Sequence, residues 1–428
     1  MNGRDPRDAE RHRIRRRRAL VAVALVLVLA LGAAGSYVWW ALTAPVSAPA
    51  VTSETPEVVA PAAAQLAIPT EVASAISISG ADAYLGAEAN GIWAAGGSGE
   101  ARSIASISKL ITALVILDER PLAGADDPGP TITFDEADND LYDKYYSLGA
   151  TTVGMPTGSS MSQNQALATM LIPSASNYAE ALSTWAFGSQ DAFVGATRRW
   201  LAAHGLTGTT IVEPTGINPR NASTPGDLVA IGKLAAANPV IARIAATESI
   251  TVPDTGRVSN TNYLLGNLGI TGLKTGSLGE NNSTLLYTAS LDVGAAEPLG
   301  VTGVVLGGYS GETVGSSVLT LLASIRDGFH DVPVATAGQN VGSLSTPWGS
   351  TAQLVIGTDA SIFTWSDTPI SATMELTTPV AYTDGEVVGS ITFTAGPNTA
   401  TAPVRLDGSI EPPTDWWRLT HPGELGQP

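Results

Sequence analysis

Residues 102–113 read Arg-Ser-Ile-Ala-Ser-Ile-Ser-Lys-Leu-Ile-Thr-Ala, and they open a segment without Gly or Pro that runs to residue 119. Apolar residues recur in this segment at the spacing of one helix face. Ser106 and Lys109 are three residues apart, which places both side chains on one face of such a helix. A lysine activates a serine only where burial or nearby cations lower its pKa. The apolar residues after Lys109 are compatible with burial, so the pattern indicates a serine nucleophile with a lysine base.

Two further polar motifs follow in order along the chain. The first is Ser174-Ala175-Ser176-Asn177, directly after an apolar run, and the second is Gly272-Leu273-Lys274-Thr275-Gly276. The chain contains only four lysines, and two of them fall in a Ser-x-x-Lys and a Lys-Thr-Gly motif. This order favours one composite site over three unrelated polar turns.

Other chemistries find little support in the sequence. There are no cysteines, which removes disulfides, thiolate nucleophiles and cysteine-ligated metals. The histidines that follow the N-terminal region, His204, His330 and His421, show no metal-binding spacing. There is no Gly-x-Ser-x-Gly elbow, and the glycine-rich segment 96–99 lacks a Walker lysine. The sequence therefore predicts neither a metal nor a cofactor.

The charge distribution divides the chain. The net charge is −17, but the first 18 residues hold eight arginines and three acids, so the remainder has 14 basic and 36 acidic residues and a charge of −22. The negative charge of this larger part of the chain argues against nucleic acid as a partner. Residues 19–42 are uncharged and long enough to cross a bilayer, and the preceding arginines predict a cytoplasmic N-terminus. We expect a single-pass membrane anchor, while Ser47-Ala48-Pro49-Ala50 leaves a cleaved signal peptide open.

Composition suggests a domain layout. We expect a cytoplasmic basic tail at 1–18, a transmembrane anchor at 19–42 and an Ala/Pro-rich spacer at 43–68. Residues 69–332 mix strand and helix patterns, including helices near 161–172 and 190–203 and a helix start at Thr224. Beyond residue 335 helical periodicity disappears, and 340–419 is predicted as a small all-β domain with a hairpin turn at Asp384-Gly385. The pair Trp416-Trp417 near its end is either a packed edge or a binding surface.

At the level of motifs, residues of about 70–310 resemble the serine D-alanyl-D-alanine carboxypeptidases, which are low-molecular-mass penicillin-binding proteins. The resemblance includes residues 102–113, the segment Glu213-Pro214-Thr215-Gly216-Ile217 and the helix start after Ser223. It implies an α/β (α+β) fold like that of serine β-lactamases and penicillin-binding transpeptidases, with an antiparallel sheet flanked by helices. The C-terminal β domain resembles the family's appended domain less specifically, and the transmembrane helix completes the expected architecture.

The resemblance also implies a role for each motif residue. Ser106 would attack the D-Ala-D-Ala carbonyl, Lys109 would accept its proton, and Ser174 would relay a proton to the departing D-alanine. Lys274 and Thr275 would hold the terminal carboxylate, and the backbone amides of Ser106 and Ser277 would form an oxyanion hole. The implied substrate-binding residues are Ser176, Asn177, Lys274, Thr275, Gly276 and Ser277. Expected partners are a peptidoglycan stem peptide ending in D-Ala-D-Ala and β-lactam antibiotics as covalent inhibitors.

One position departs from the family pattern. The second motif is normally Ser-x-Asn, whereas here Ser176 occupies the third place and Asn177 follows. Because serine is shorter, the sequence predicts weaker turnover or an altered substrate. Two alternatives stay open at this point. One is a β-lactamase or another acyl-serine hydrolase, and the other is a catalytically reduced, membrane-tethered protein that binds cell wall.

Overall fold

The computed structural model describes residues 6–426; Arg4 and the start of the predicted basic tail lie outside this range. The chain forms two compact units. The central unit comprises Ala60–Asp331 and Phe363–Pro369, and the terminal unit comprises Met1–Val59, Val332–Ile362 and Ile370–Pro428.

The described residues form eleven α-helices. They are α1 (Pro6–Thr43), α2 (Asp82–Leu85), α3 (Ser108–Glu119), α4 (Glu136–Ser147), α5 (Gln163–Leu171), α6 (Ser176–Phe187), α7 (Gln190–Ala203), α8 (Pro225–Ala237), α9 (Pro239–Ala245), α10 (Gly311–Asp327) and α11 (Asp415–Thr420).

The described residues also form nineteen β-strands. They are β1 (Ala50–Ser53), β2 (Ala73–Ser79), β3 (Ala94–Gly96), β4 (Arg102–Ser103), β5 (Thr131–Thr133), β6 (Ser160–Ser162), β7 (Ala222–Ser223), β8 (Ser249–Val252), β9 (Gly256–Ser259), β10 (Ile270–Ser277), β11 (Ser283–Leu291), β12 (Leu299–Gly308), β13 (Phe329–Ala335), β14 (Asn340–Ser345), β15 (Thr351–Ile356), β16 (Ala360–Trp365), β17 (Ile370–Leu376), β18 (Val387–Ala395) and β19 (Asn398–Asp407).

The central unit is built around an antiparallel five-stranded sheet in the order β10-β11-β12-β2-β3. One apolar core joins α3, α5, α6 and α8 to one face of this sheet, and a second core joins α10 to the other face. Helices therefore cover both faces of the sheet, which buries its apolar side chains on both sides. This layered arrangement confirms the predicted antiparallel sheet flanked by helices.

Local sequence signals explain where several helices begin. The Ser162 hydroxyl accepts a hydrogen bond from the backbone amide of Gln165, and the side-chain oxygen of Gln165 accepts one from the backbone amide of Ser162. This reciprocal pair is a capping box, and it starts α5. The Thr224 side chain caps α8, whose first residue is Pro225. The helix start predicted at Thr224 is thus confirmed.

The terminal unit contains an antiparallel six-stranded sheet in the order β1-β14-β15-β19-β18-β17. Strand β1 lies inside residues 43–68, where composition alone suggests a spacer. It pairs with β14 in register Ala50 to Ser345 and completes the edge of the sheet. The turn between β17 and β18 contains Gly385 at φ +80, a left-handed conformation that suits glycine. The all-β prediction misses one element, the short helix α11, which contains the tryptophan pair.

Helix α1 carries the predicted membrane segment. It begins well before residue 19 and includes the arginines that the structure describes. Within residues 6–426, its portion Glu10–Thr43 is the one unbroken helix long and apolar enough to cross a membrane, and it contains an 18-residue stretch with a mean hydropathy of 2.5. Helices α8 and α9 pass the same length and composition test only as a pair bent by 99°, and most of their apolar residues lie in the protein core.

Candidate active site

Ser106 lies in a tight helical turn, Ala105–Ile107, that leads directly into α3. The residue before it, Ala105, has a φ of +46, which is unusual for a residue with a side chain. The backbone of Gly216 runs against this turn, because a Cβ at that position would lie 1.9 Å from the Ala105 carbonyl oxygen. The serine is therefore presented on a strained turn that the neighbouring loop fixes in place.

Lys109 lies one turn into this helical segment and is completely buried. Its Nζ donates to the Ser106 Oγ at 3.1 Å and to the Thr215 carbonyl at 2.9 Å. Burial lowers the pKa of Lys109 to about 7, while the negative charge of Glu213 acts in the opposite direction. The structure thus brings the predicted nucleophile and base within hydrogen-bonding distance.

The loop that begins at Glu213 supports this lysine. The two carboxylate oxygens of Glu213 accept hydrogen bonds from the backbone amides of Thr215, Gly216 and Asn218, at 2.7, 2.7 and 3.2 Å. They also accept from the Thr215 hydroxyl at 2.6 Å and the Asn221 side-chain amide at 3.0 Å. A single carboxylate therefore holds the loop in the shape that presents the Thr215 carbonyl to Lys109.

The structure places the three polar residues of the second motif, Ser174, Ser176 and Asn177, in different surroundings. Ser174 has a φ of +70, is 7 % exposed and lines the cavity beside Ser106. Ser176 begins α6, and its amide donates to the Thr151 carbonyl at 2.8 Å. Asn177 is fully buried and uses its side chain on Val153, accepting from the amide at 3.2 Å and donating to the carbonyl at 2.7 Å. Only Ser174 of these three residues is among those that line the cavity.

The third motif lies on the edge strand β10. Lys274 is 2 % exposed, and its Nζ donates to the Thr275 carbonyl at 3.1 Å and to the Thr261 hydroxyl at 3.3 Å. The Thr275 hydroxyl donates to the same Thr261 oxygen at 2.6 Å. Burial, and secondarily the nearby charge of Lys109, place the pKa of Lys274 well below its usual value. This end of the site is rich in hydrogen-bond donors.

A cavity of about 320 Å³ joins these elements. Its lining includes five of the predicted residues, namely Ser106, Ser174, Thr275, Gly276 and Ser277. Strand β10 passes close to the nucleophile turn, since a Cβ at Gly276 would lie 3.0 Å from the Ser106 amide nitrogen. Among residues 6–426 there is no group of three or more acidic or histidine side chains that could hold a metal ion.

Thr261 and Asn262 are among the cavity-lining residues that the sequence did not assign to the site. They belong to the polar run Asn260-Thr261-Asn262 that precedes Lys274. The Asn262 side chain is 2 % exposed, and its amide nitrogen has no hydrogen-bond partner in the described structure. The run was visible in the sequence, but only the fold brings it to the cavity.

The architecture and the order of these elements define the penicillin-binding-protein fold. Penicillin-binding protein 5 from Haemophilus influenzae matches with a TM-score of 0.52 and 17 % identity, over 81 % of this chain and 98 % of that one. The D-alanyl-D-alanine carboxypeptidase DacD from Francisella tularensis matches with a TM-score of 0.50 and 18 % identity, over 83 % and 96 %. At these identities the likeness concerns the fold alone.

Sequence comparison then identifies the family. Residues 71–307 match the family model of the D-alanyl-D-alanine carboxypeptidases, and the chain belongs to this family of serine peptidases. DacB2, a D-alanyl-D-alanine carboxypeptidase of Mycobacterium tuberculosis, is 34 % identical over 152 residues, which are 35 % of this chain and 47 % of that protein. A D-alanyl-D-alanine endopeptidase of Pseudomonas aeruginosa is 30 % identical over 169 residues, 38 % of this chain and 51 % of that protein. The matches span about half the length of these relatives.

Proposed function

We propose that this protein is a membrane-anchored serine D-Ala-D-Ala carboxypeptidase that removes the terminal D-alanine from peptidoglycan stem peptides. The proposal assigns catalysis to residues 69–332, with 340–419 as an appended β domain. The observation that carries it is the hydrogen bond between the buried Lys109 amine and the Ser106 hydroxyl. Family membership, established by the match over residues 71–307, supports the reaction class.

Acylation follows from this pair. With a pKa of about 7, Lys109 is neutral in an appreciable fraction of molecules at neutral pH and accepts the Ser106 proton. The Ser106 oxygen then adds to the carbonyl carbon of the penultimate D-alanine. The backbone amides of Ser106 and Ser277 stabilise the negative charge that develops on the carbonyl oxygen. Preorganised amides of this kind are effective because they need no rearrangement during the reaction.

Departure of the terminal residue completes the first half of the reaction. The bond between the carbonyl carbon and the D-alanine nitrogen breaks, and the proton taken up by Lys109 reaches that nitrogen through Ser174. The free D-alanine leaves and an ester on Ser106 remains. Lys274, Thr275 and Thr261 form the donor-rich end that holds the substrate carboxylate until this step. Water then hydrolyses the ester and restores Ser106.

The altered second motif limits which of its residues can contact the substrate. Ser176 and Asn177 are absent from the cavity lining, and Asn177 is engaged with Val153. We therefore propose Ser174 as the working residue of this motif and give Asn177 a supporting role in the backbone beside it. Substrate contacts of Ser176 remain a prediction.

Covalent labelling tests the nucleophile and the class together. The full chain is incubated with a fluorescent penicillin, digested and examined by mass spectrometry. We expect a stable adduct on Ser106 that disappears in Ser106→Ala and persists in Ser103→Ala, a neighbouring serine whose hydroxyl has no hydrogen-bond partner in the described structure. Rapid release of hydrolysed drug would favour a β-lactamase instead. No adduct at any position would favour the catalytically reduced binding protein.

A second assay separates carboxypeptidase from endopeptidase activity, since relatives of both kinds match this chain. The enzyme is given a pentapeptide stem and, separately, a cross-linked stem dimer. Release of free D-alanine from the pentapeptide, with little cleavage of the dimer, is the expected result. Preferential cleavage of the dimer would replace the proposed activity with an endopeptidase activity at the same serine.

A further inference from the structure

Within the terminal unit, a segment near the C-terminus contacts the C-terminal end of α1. Helix α11, near the C-terminus, contacts the last turns of the apolar helix α1. The Tyr37 hydroxyl donates to the Leu419 carbonyl at 2.7 Å. The Arg418 guanidinium donates to the carbonyls of Ala44 at 2.8 Å and Ala41 at 3.4 Å. These bonds join segments that are almost four hundred residues apart in sequence.

The contacts satisfy the end of α1. The last carbonyls of a helix have no partner within the helix, and a cation placed there also interacts favourably with the helix dipole. Arg418 supplies both the donors and the charge. Ala41 and Ala44 are buried together with Leu425, and the Gly426 amide donates to the Pro45 carbonyl at 2.9 Å. The junction therefore has a small apolar core as well as polar bonds.

The junction is also tied to the six-stranded sheet. The rings of Trp417 and Trp348 pack edge to face with centroids 5.7 Å apart, and the His421 ring stacks on Trp417 at 4.7 Å. The Trp348 indole donates to the Glu411 carbonyl at 2.7 Å. Residues 415–426, called the clasp below, thus link the exit of α1 to the folded β domain.

Two large aromatic side chains on this junction remain uncovered. Trp39 on α1 is 71 % exposed, and Trp416 on α11 is 73 % exposed. Indole rings prefer the layer between lipid headgroups and hydrocarbon, and they are enriched where a spanning helix leaves the membrane. Both tryptophans lie next to the C-terminal end of α1, the one unbroken helix of residues 6–426 that could cross a membrane, where that layer would be.

We propose that the clasp retains α1 as a permanent anchor and that Trp39 and Trp416 lie together in the interfacial layer of the lipid bilayer. The inference rests on the proposed membrane anchoring. It also decides between anchor and signal peptide. Cleavage near Ser47–Ala50 would remove Ala41, Ala44 and Val46, which would leave the clasp without the surface it covers.

Depth of insertion is measured with single cysteines, since the natural sequence has none. The full chain carrying Trp416→Cys is labelled with an environment-sensitive fluorophore and reconstituted in phosphatidylcholine–phosphatidylglycerol vesicles containing shallow spin-labelled lipid. The matched control is Val380→Cys, which is 94 % exposed in the same unit. We expect at least threefold stronger quenching at 416 than at 380. Equal quenching at the two positions, in protein that floats with the vesicles, would overturn the inference and leave the anchor intact.

Retention of α1 is measured separately. Intact mass of protein purified from the membranes of an expressing cell is expected to include residues before 47. Recovery only of chains that begin near residues 48–51 would overturn both the clasp and the anchor, whereas penicillin labelling of Ser106 would still report on the enzyme. Arg418→Ala is expected to speed protease cutting between residues 43 and 50 several-fold. Arg405→Ala, which changes an exposed arginine on β19 of the six-stranded sheet, is expected to leave the cutting rate unchanged. Equal cutting in both variants would contradict the clasp.

Discussion

Two regions of the active site each bury a lysine, and their surroundings differ. At the start of α3, Lys109 has the carboxylate of Glu213 nearby and two hydrogen-bond acceptors, the Ser106 hydroxyl and the Thr215 carbonyl. On β10, Lys274 is surrounded by hydroxyl and carbonyl oxygens, and the charge that acts on it is that of Lys109. Burial lowers both pKa values, but only Lys109 has an anion that opposes the effect.

This difference suits the two lysines to different tasks. A pKa of about 7 makes Lys109 a base that exchanges protons near neutral pH. No carboxylate of residues 6–426 is among the groups that shift the pKa of Lys274, so in the proposed function a substrate carboxylate would supply the charge that stabilises its ammonium form. In the proposed function, the same residue type is therefore assigned the role of a base where an anion is built in, and that of an anion receptor where it is not.

The largest effect is expected from Lys109→Met, which removes the base but keeps a side chain of similar length. Loss of a general base typically costs 10²- to 10⁴-fold, so acylation by penicillin should slow by about 10³-fold. The melting temperature should not fall, because the mutation also removes a buried amine that is costly to desolvate. Stopped-flow acylation and thermal unfolding provide the two readouts. A comparable loss in Lys233→Met, which changes a lysine outside the motifs, would show that the effect is not specific to the base.

Lys274→Met is expected to act on binding of the anionic end of the substrate. A hydrogen bond to a charged group contributes about 1.5–3 kcal/mol, so kcat/KM for a peptide with a free carboxylate should fall about 10- to 100-fold. A peptide whose terminus is an amide should lose much less. Steady-state kinetics on the two substrates give the comparison. An equal loss on both would mean that Lys274 acts on the chemical step and not on the carboxylate.

The sequence predicts the pairing of Ser106 with Lys109 well because the two residues are close in sequence, whereas Glu213 and Thr215, which also act on Lys109, lie more than a hundred residues further along the chain. Ser106 and Lys109 are one helical turn apart, and the apolar residues that follow in α3 are themselves buried. The strand and helix patterns of the central unit follow from the same short-range periodicity. The predicted family and fold are confirmed by the family match over residues 71–307 and by the likeness to solved penicillin-binding proteins.

Features that depend on distant parts of the chain could not be predicted. Thr261 approaches Lys274 across 13 residues, and strand β1 pairs with a strand almost three hundred residues away. The position of Asn177 shows the same limit. Its place next to the motif suggests a substrate contact, but the fold turns it toward the backbone of Val153. Sequence spacing identifies which residues form a motif, whereas packing determines which of them face the cavity.

A smaller effect, on pH dependence, is expected from Glu213→Gln. Because Glu213 raises the pKa of Lys109, removing its charge should lower that pKa further. Lys109 acts in its neutral form, so acylation rises with pH through the pKa, and the midpoint of this rise should shift from about 7 toward lower pH. Burial, the larger cause of the low pKa of Lys109, is common to both proteins. Acylation rates between pH 5 and 9 provide the profile.

The control for this profile is Glu180→Gln. Glu180 is a nearby acid that accepts from Tyr145 and Lys144, but it is not among the groups that shift the pKa of Lys109. Its midpoint should match the wild-type value. A melting temperature measured for each variant separates the electrostatic effect from loosening of the loop that Glu213 holds. An unchanged midpoint in Glu213→Gln would contradict the built-in anion as the cause of the difference between the two lysines.

The smallest effect is expected from Ser176→Asn, which restores the family pattern between the two lysine regions. Ser176 is 2 % exposed and its amide is bonded to Thr151, a residue of the cavity lining. A longer amide side chain can gain about one hydrogen bond to substrate, worth about 1 kcal/mol, so D-alanine release should rise about threefold to tenfold. Ser176→Ala is the matched control and should leave the rate within twofold, because the hydrogen bond from Ser176 to Thr151 is made by its backbone amide. Unchanged or lower release in Ser176→Asn would show that the serine is already suited to this site and that the departure from the family pattern does not limit turnover.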